Sequence, residues 1–445
     1  MSSYNNGDVR TDYIDPQIYV PNGRASFDLD ASKLAYLPNM RLLNVGVTAS
    51  AAGTYNRLVG SMSVIRNIRL LDGRTELSAL RNPVPYLGFK SQQRTNGDNI
   101  SSGSWLKNSR TGLQISDLDE QLDHVYNGDV ADVGQPAAAA NPTSVGYLDL
   151  REVFPLLNAL PALPTSVFPN LRVEVEFESA AGTKSQIVNA TTDTFTSVRP
   201  ILAVDVIEND DLVAALTKAI KDNGARWNEI EHDRYNIKAP DANVAGATQP
   251  DSSSSMGYIG KRVERLLMVK TLQDPLDAVN TTANQVIGYG NAASQAFKAQ
   301  KTQVRLNGKN VFPGFGGITR PMERLALISD EYGACSAYPG SVYTNWSNAD
   351  KMMDLNVLSA DGNTRGILAP LTGKAFAGAL SYDCVRIGAR VADLQIQISR
   401  DATGNTKTAT SVPYASHLAC NINLYAEVDK VMVMGRDGQY RIVYA

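Results

Sequence analysis

Residues 147–179 read YLDLREVFPLLNALPALPTSVFPNLRVEVEFES, and the last third of that stretch decides the fold class. Leu171, Val173, Val175 and Phe177 alternate with Arg172, Glu174, Glu176 and Glu178. Successive side chains of a strand point to opposite faces, so the alternation predicts an apolar face on a core and a charged face toward solvent or a neighbour. Upstream, Leu150, Val153, Phe154, Leu157 and Leu160 follow a helical spacing. Pro155 is tolerable only in a first turn, so the helix within 149–160 is short. Pro161, Pro164 and Pro169 then stop it and deliver the chain to the strand.

Working outward, the same strand-and-turn text recurs. Residues 34–47 are β-prone, 63–71 end at the turn signal Asp72-Gly73, and 81–90 are broken by Pro83 and Pro85. A polar insert covers 91–146, and 199–207 (RPILAVDVI) return as a strand. Asn209, Asp210 and Asp211 open a helix with Leu212, Val213, Leu216 and Ile220 on one face and Gly224 as its stop. Its position between two β-rich halves predicts a connector. The second half shows strands at 262–271, a hairpin around Asn307-Gly308, alternating strands at 393–399 and 421–428, and a last hairpin at Asp437-Gly438. Each half thus has an amphipathic strand, a polar loop and a second strand in the same order, which predicts two similar antiparallel β bodies in tandem.

The bulk numbers agree with that plan. A chain of 445 residues exceeds what one core usually supports. With 43% hydrophobic and 20% charged residues, its composition is that of a soluble globular protein. Forty-two basic against 45 acidic residues, a formal charge of −3, offer no basic surface for gripping nucleic acid. No apolar run approaches the roughly 18–20 residues of a membrane span. The first residues, MSSYNNGDVRTDYIDPQ, lack the apolar stretch of a secretory signal, so the sequons at Asn99, Asn189, Asn280 and Asn345 read as chance. Cys335, Cys384 and Cys420 have no paired spacing, the pattern of buried thiols made in a reducing compartment.

Catalytic, cofactor-binding and metal-ligating residues are all expected to be absent. His124, His232 and His417 belong to no HExxH or His/Cys cluster, and no G-x-S-x-G elbow supplies a serine. His232 sits in the charged run EIEHDR, which reads as a surface or interface position. Asp117, Asp119, Glu120 and Asp123 lack the spacing of a calcium loop. Gly308-Lys309 and Gly373-Lys374 lack the rest of a phosphate-binding loop, and Trp105, Trp227 and Trp346 are too scattered for a stacking platform.

Several stretches taken in order resemble the double jelly-roll major capsid proteins of double-stranded DNA viruses, in particular polinton-like viruses and virophages. They are SKLAYLPNMRLLNVGV, VIRNIRLLDGRTEL, LREVFPLLNALPALPTSVFPNLRVEVEF, RPILAVDVI with WNEIEHDRY, VRLNGKNVFP, and DLQIQISR with LYAEVDKVMVM and YRIVY. The resemblance implies an all-β chain with a few short helices, built as two tandem eight-stranded antiparallel jelly-roll sandwiches. It implies an extended arm at 1–24, a first roll at 25–207, a connecting helix and linker at 208–234, and a second roll at 235–445. The implied role is structural and not enzymatic: a homotrimeric, pseudo-hexameric capsomer in an icosahedral virion. Its expected partners are neighbouring capsomers and penton and minor capsid proteins, with no sequence-specific contact to nucleic acid. A glycan-binding or glycan-cleaving β-sandwich is the alternative and needs an aromatic platform or a paired-carboxylate cleft. A tail component would instead show fibrous repeats, which are not seen.

Overall fold

The computed structural model describes residues 9–49, 62, 64–93, 143–179, 195–237, 252–272, 300–312, 317, 327, 330–332, 382–400, 420–435 and 439–445. Two compact units divide the chain: Met1–Val84, Asn99–Glu231 and Glu427–Ala445 form the first, Pro85–Asp98 and His232–Ala426 the second.

In chain order the first unit begins with β1 (Val9–Ile14), β2 (Ile18–Tyr19), β3 (Arg24–Asp28), β4 (Ala35–Tyr36), β5 (Arg41–Ala49), β6 (Ile65–Asp72) and β7 (Thr75–Arg81). After helix α1 (Pro83–Gln93) come β8 (Thr143–Asp149), helix α2 (Pro155–Ala159), β9 (Leu163–Pro164), β10 (Leu171–Phe177), β11 (Phe195–Ser197) and β12 (Ile201–Ile207). One sheet runs β2-β3-β10-β6-β7, and the other is built around β12, which pairs with β1, β4 and β5, while β5 pairs with β8 and β11.

Strand β10 carries the alternation just as read. Leu171, Val173, Val175 and Phe177 are each no more than 2% exposed, and the residues between them are half-buried. Helix α2 starts on Pro155, where the missing N–H costs nothing. The same physics overturns the expectation that Pro83 and Pro85 break 81–90. Both fall in the first turn of α1, so that stretch is helical.

Within 1–24, Val9–Ile14 forms β1 in register with β12, from Val9 opposite Ile207 to Ile14 opposite Leu202. The polar text VRTDYI hid an edge strand whose order comes from its partner. Within 208–234 the expected helix is present. Helix α3 (Asp210–Asn223), capped by Asn209, packs Val213 against Ala35, Ala162 and Ile207 of the first unit. The chain then enters β13 (Ala225–Ile237) directly.

The second half continues with β14 (Ser252–Ser255), β15 (Arg262–Leu272), β16 (Gln300–Leu306), β17 (Lys309–Asn310), β18 (Tyr382–Arg390), β19 (Leu394–Arg400), β20 (Cys420–Met434) and β21 (Tyr440–Tyr444). Its sheets run β13-β20-β15-β18, with β21 on β20, and β14-β19-β16-β17. Asn307 and Gly308 turn the β16–β17 hairpin with φ of 50° and 79°, values that suit Asn and Gly. Leu394, Ile396 and Ile398 are buried, as their alternation predicts. In β20 the expectation of one apolar face is too simple, since Asn423, Tyr425 and Glu427 are buried alongside Ile422, Leu424, Ala426 and Val428. Among the described residues no helix is long and apolar enough to cross a membrane.

His124, His417, Cys335, Trp105, Trp346, the four sequons, the acidic run at 117–123, Gly373-Lys374, most of the 91–146 insert and the Asp437-Gly438 turn lie outside the described residues. Cys384 is buried as a thiol.

Candidate functional site

Three polar arrangements carry what chemistry the described residues offer. The first is the outward face of β10. Glu174 receives Arg69 Nη2 at 2.6 Å and lies 3.5 Å from Arg172 Nε, while Glu176 lies 3.4 Å from Arg66 and accepts from Asn67 Nδ2 at 2.5 Å. This is a cross-strand ladder of ion pairs, each worth little on a wet surface but setting which charges meet across β6 and β10. Glu178, expected to point outward with them, is largely desolvated, which raises its carboxyl pKa. A glycan-cleaving site needs two carboxylates aimed at one bond; here Glu174 and Glu176 are each tied to arginines.

The second is His232 on β13. Its Nε2 lies 3.3 Å from Asn423 Oδ1 and its ring centroid 5.0 Å from that of Tyr425. The imidazole packs among strands, and Tyr425 in turn meets Tyr86 of α1 at 5.4 Å. Among the described residues no group of three or more His, Cys, Asp or Glu could hold a metal ion.

The third escaped the sequence reading. Glu229 is 2% exposed and accepts Ser78 Oγ–H at 2.9 Å, the Ala79 N–H at 2.9 Å and Trp227 Nε1–H at 2.7 Å. Burial pushes its carboxyl pKa up, against the opposing pull of Lys430 and these donors. β7 is the outermost strand of its sheet, so the Ala79 N–H would otherwise be an open edge donor. Glu229 is therefore an edge cap. Its spacing to Trp227 is visible in WNE, but nothing in the sequence points to Ser78, 151 positions away.

The larger arrangement is the order of strands. Rank the eight principal strands of each half along the chain: β1, β3, β5, β6, β7, β8, β10 and β12, then β13 to β20. In both halves ranks 1-8-3-6 form one sheet and 2-7-4-5 the other. No family model matches the chain, and no curated protein matches it in sequence. Solved structures do match. The mavirus major capsid protein is 12% identical with a TM-score of 0.51, over 100% of this chain and 92% of its own. VP54 of PBCV-1, fitted into a cryo-EM reconstruction of the virophage Sputnik, is 12% identical with a TM-score of 0.50, over 100% and 99%.

The fold is a double jelly roll.

At that identity the likeness is one of fold, and the surfaces must be read from this chain. Each double jelly-roll sandwich sends its connections to two ends. In the second roll the connections after β14, β16 and β18 share one end, where they are short and laced together. Gly260 N–H donates to Val391 O at 2.7 Å, Asn307 N–H to Asp393 O at 2.8 Å, and Asn307 Oδ1 accepts from Ala392 and Asp393 N–H. The connections after β13, β15, β17 and β19 leave from the opposite end and span 238–251, 273–299, 311–381 and 401–419.

Proposed function

We propose that this protein is a major capsid protein, a structural subunit of an icosahedral virion. The observation that carries the reading is the repetition of one eight-strand order in two halves of a single chain, from Val9–Ile207 and again from Ala225–Met434. Two such sandwiches per chain give a threefold assembly six similar side walls, the shape needed to tile a sheet of hexagons. The chain is accordingly a homotrimer whose capsomers abut one another and meet penton and minor capsid proteins in the particle. Its work is geometric, done by apolar contact with polar rims. The ion-pair ladder of β10 belongs to the polar category, and the mild net charge of −3 supports a shell that does not read nucleic-acid sequence.

Light scattering coupled to size exclusion, followed by negative-stain electron microscopy of the purified protein, tests this. Trimeric blocks with a hexagonal outline are expected. A monodisperse monomer at micromolar concentration, with hits on a glycan array, would replace the capsid reading with the glycan-binding one.

A further inference from the structure

The first unit is not contiguous in sequence, since its last piece is Glu427–Ala445. That piece holds residues made much earlier. Tyr440 Oη–H donates to Asp72 Oδ2 at 2.8 Å, and its ring lies 5.1 Å from that of Phe168. Asp72 is the last residue of β6, just ahead of the turn into β7, where its other oxygen accepts the Asn170 N–H at 2.7 Å. Asp429, 1% exposed, accepts Arg226 Nε–H at 2.9 Å and a second bond from the same guanidinium. Glu231 accepts Tyr444 Oη–H at 2.9 Å and lies 3.9 Å from Lys430 Nζ. Arg226 and Glu231 flank Glu229, the residue that caps β7.

The last segment therefore acts on β7 from two places, on Asp72 just ahead of its turn and on the start of β13, whose Glu229 caps its middle. The eight strands of the first roll are all made by Ile207, yet among the described residues no strand pairs with the outer side of β7. An uncovered edge strand is a template for unwanted pairing. Contacts separated by hundreds of residues also form late, because their loop must close first.

We propose that Glu427–Ala445 is a closing strap: by holding Asp72 and the start of β13 it sets the Glu229 cap on the β7 edge last, so that the first roll closes only once this segment has folded onto it. Closure is a property of one chain, independent of what the chain assembles into.

The test uses the full chain and residue-resolved hydrogen exchange. In Tyr440→Phe and, separately, Asp429→Asn, exchange should rise about tenfold in Thr75–Arg81 and Ala225–Glu231, the loss of one charge-assisted hydrogen bond. Leu171–Phe177, Gln300–Leu306 and Leu394–Arg400 should be unchanged. In pulse-labelled refolding of the unmodified chain, Thr75–Arg81 should gain protection together with Tyr440–Tyr444 and after Leu171–Phe177. Protection of β7 ahead of β21, or unaltered β7 exchange in both variants, overturns the strap. So does an equal rise in every strand, which would report general destabilisation. Failure of the trimer test with the strap intact would remove the capsid reading and leave closure standing.

Discussion

Tyr440 donates its hydroxyl to Asp72 across 368 positions of sequence, joining the start of β21 to the end of β6. Burial first, then Asp72, hold that hydroxyl's pKa above the ordinary tyrosine value. The folded state keeps the proton more tightly than the unfolded chain. Its contribution is therefore complete below the ordinary range and lost as pH rises through the raised value. Urea titrations should show the wild type losing stability above about pH 10, with Tyr440→Phe losing less. A double-mutant cycle with Asp72→Asn at neutral pH should give a coupling of about 1.5–3 kcal/mol. A coupling near zero would mean the bond is not formed in solution.

Strand β10 separates its two faces sharply. Val175 is 1% exposed, so Val175→Asp buries a carboxylate without a partner and should cost more than about 4 kcal/mol, abolishing soluble protein. Glu176, with 46% of its side chain exposed beside Arg66, should tolerate Gln within about 0.5 kcal/mol. Circular dichroism and urea midpoints decide it, and a folded, soluble Val175→Asp protein would mean the register is shifted by one.

Glu229 gives a second pH signature. Its raised carboxyl pKa makes its contribution complete below the ordinary carboxylate range and lost as pH rises through the raised value. Glu229→Gln cannot lose a proton, but its amide faces the donors Trp227 and Ser78, at a cost of about 1–3 kcal/mol. As pH rises above the ordinary carboxylate range the wild type should lose urea resistance, while the variant, weaker throughout, stays flatter. Equal slopes would assign the pH dependence to other groups.

Gly224 and Gly308 both have positive φ, 66° and 79°, but differ in surroundings. A methyl group at Gly224 would overlap the Met432 carbonyl, whereas at Gly308 it meets nothing within 4 Å. Gly224→Ala should therefore cost at least about 2 kcal/mol, and Gly308→Ala nearer to about 1 kcal/mol. Melting temperatures compared side by side would settle the order, and equal shifts would show that the carbonyl gives way.

Where one face of an element meets a core, the sequence was legible. The alternation of β10 and β19, the turns at Asp72-Gly73 and Asn307-Gly308, and the Asn209 cap of α3 all encode their structure within a few residues. Elements made by distant partners were not. VRTDYI becomes β1 only because β12 offers an edge, and the alternation of Ile422, Leu424, Ala426 and Val428 gave no sign that Asn423, Tyr425 and Glu427 on the other face of β20 would be covered too. Pro83 and Pro85 looked like breaks, since nothing local says that a helix starts there. Glu229 looked like one charge in a charged run until folding placed Ser78 and Ala79 against it.

The laced turns at one end of the second roll also shape how such a gene can change. One residue added at 307–308 or 391–393 would unseat several backbone hydrogen bonds at once. The hydrogen bonds between 256–261, 307–308 and 391–393 therefore tie three turns into one piece, so the registers of the strands they join are set together rather than one hairpin at a time.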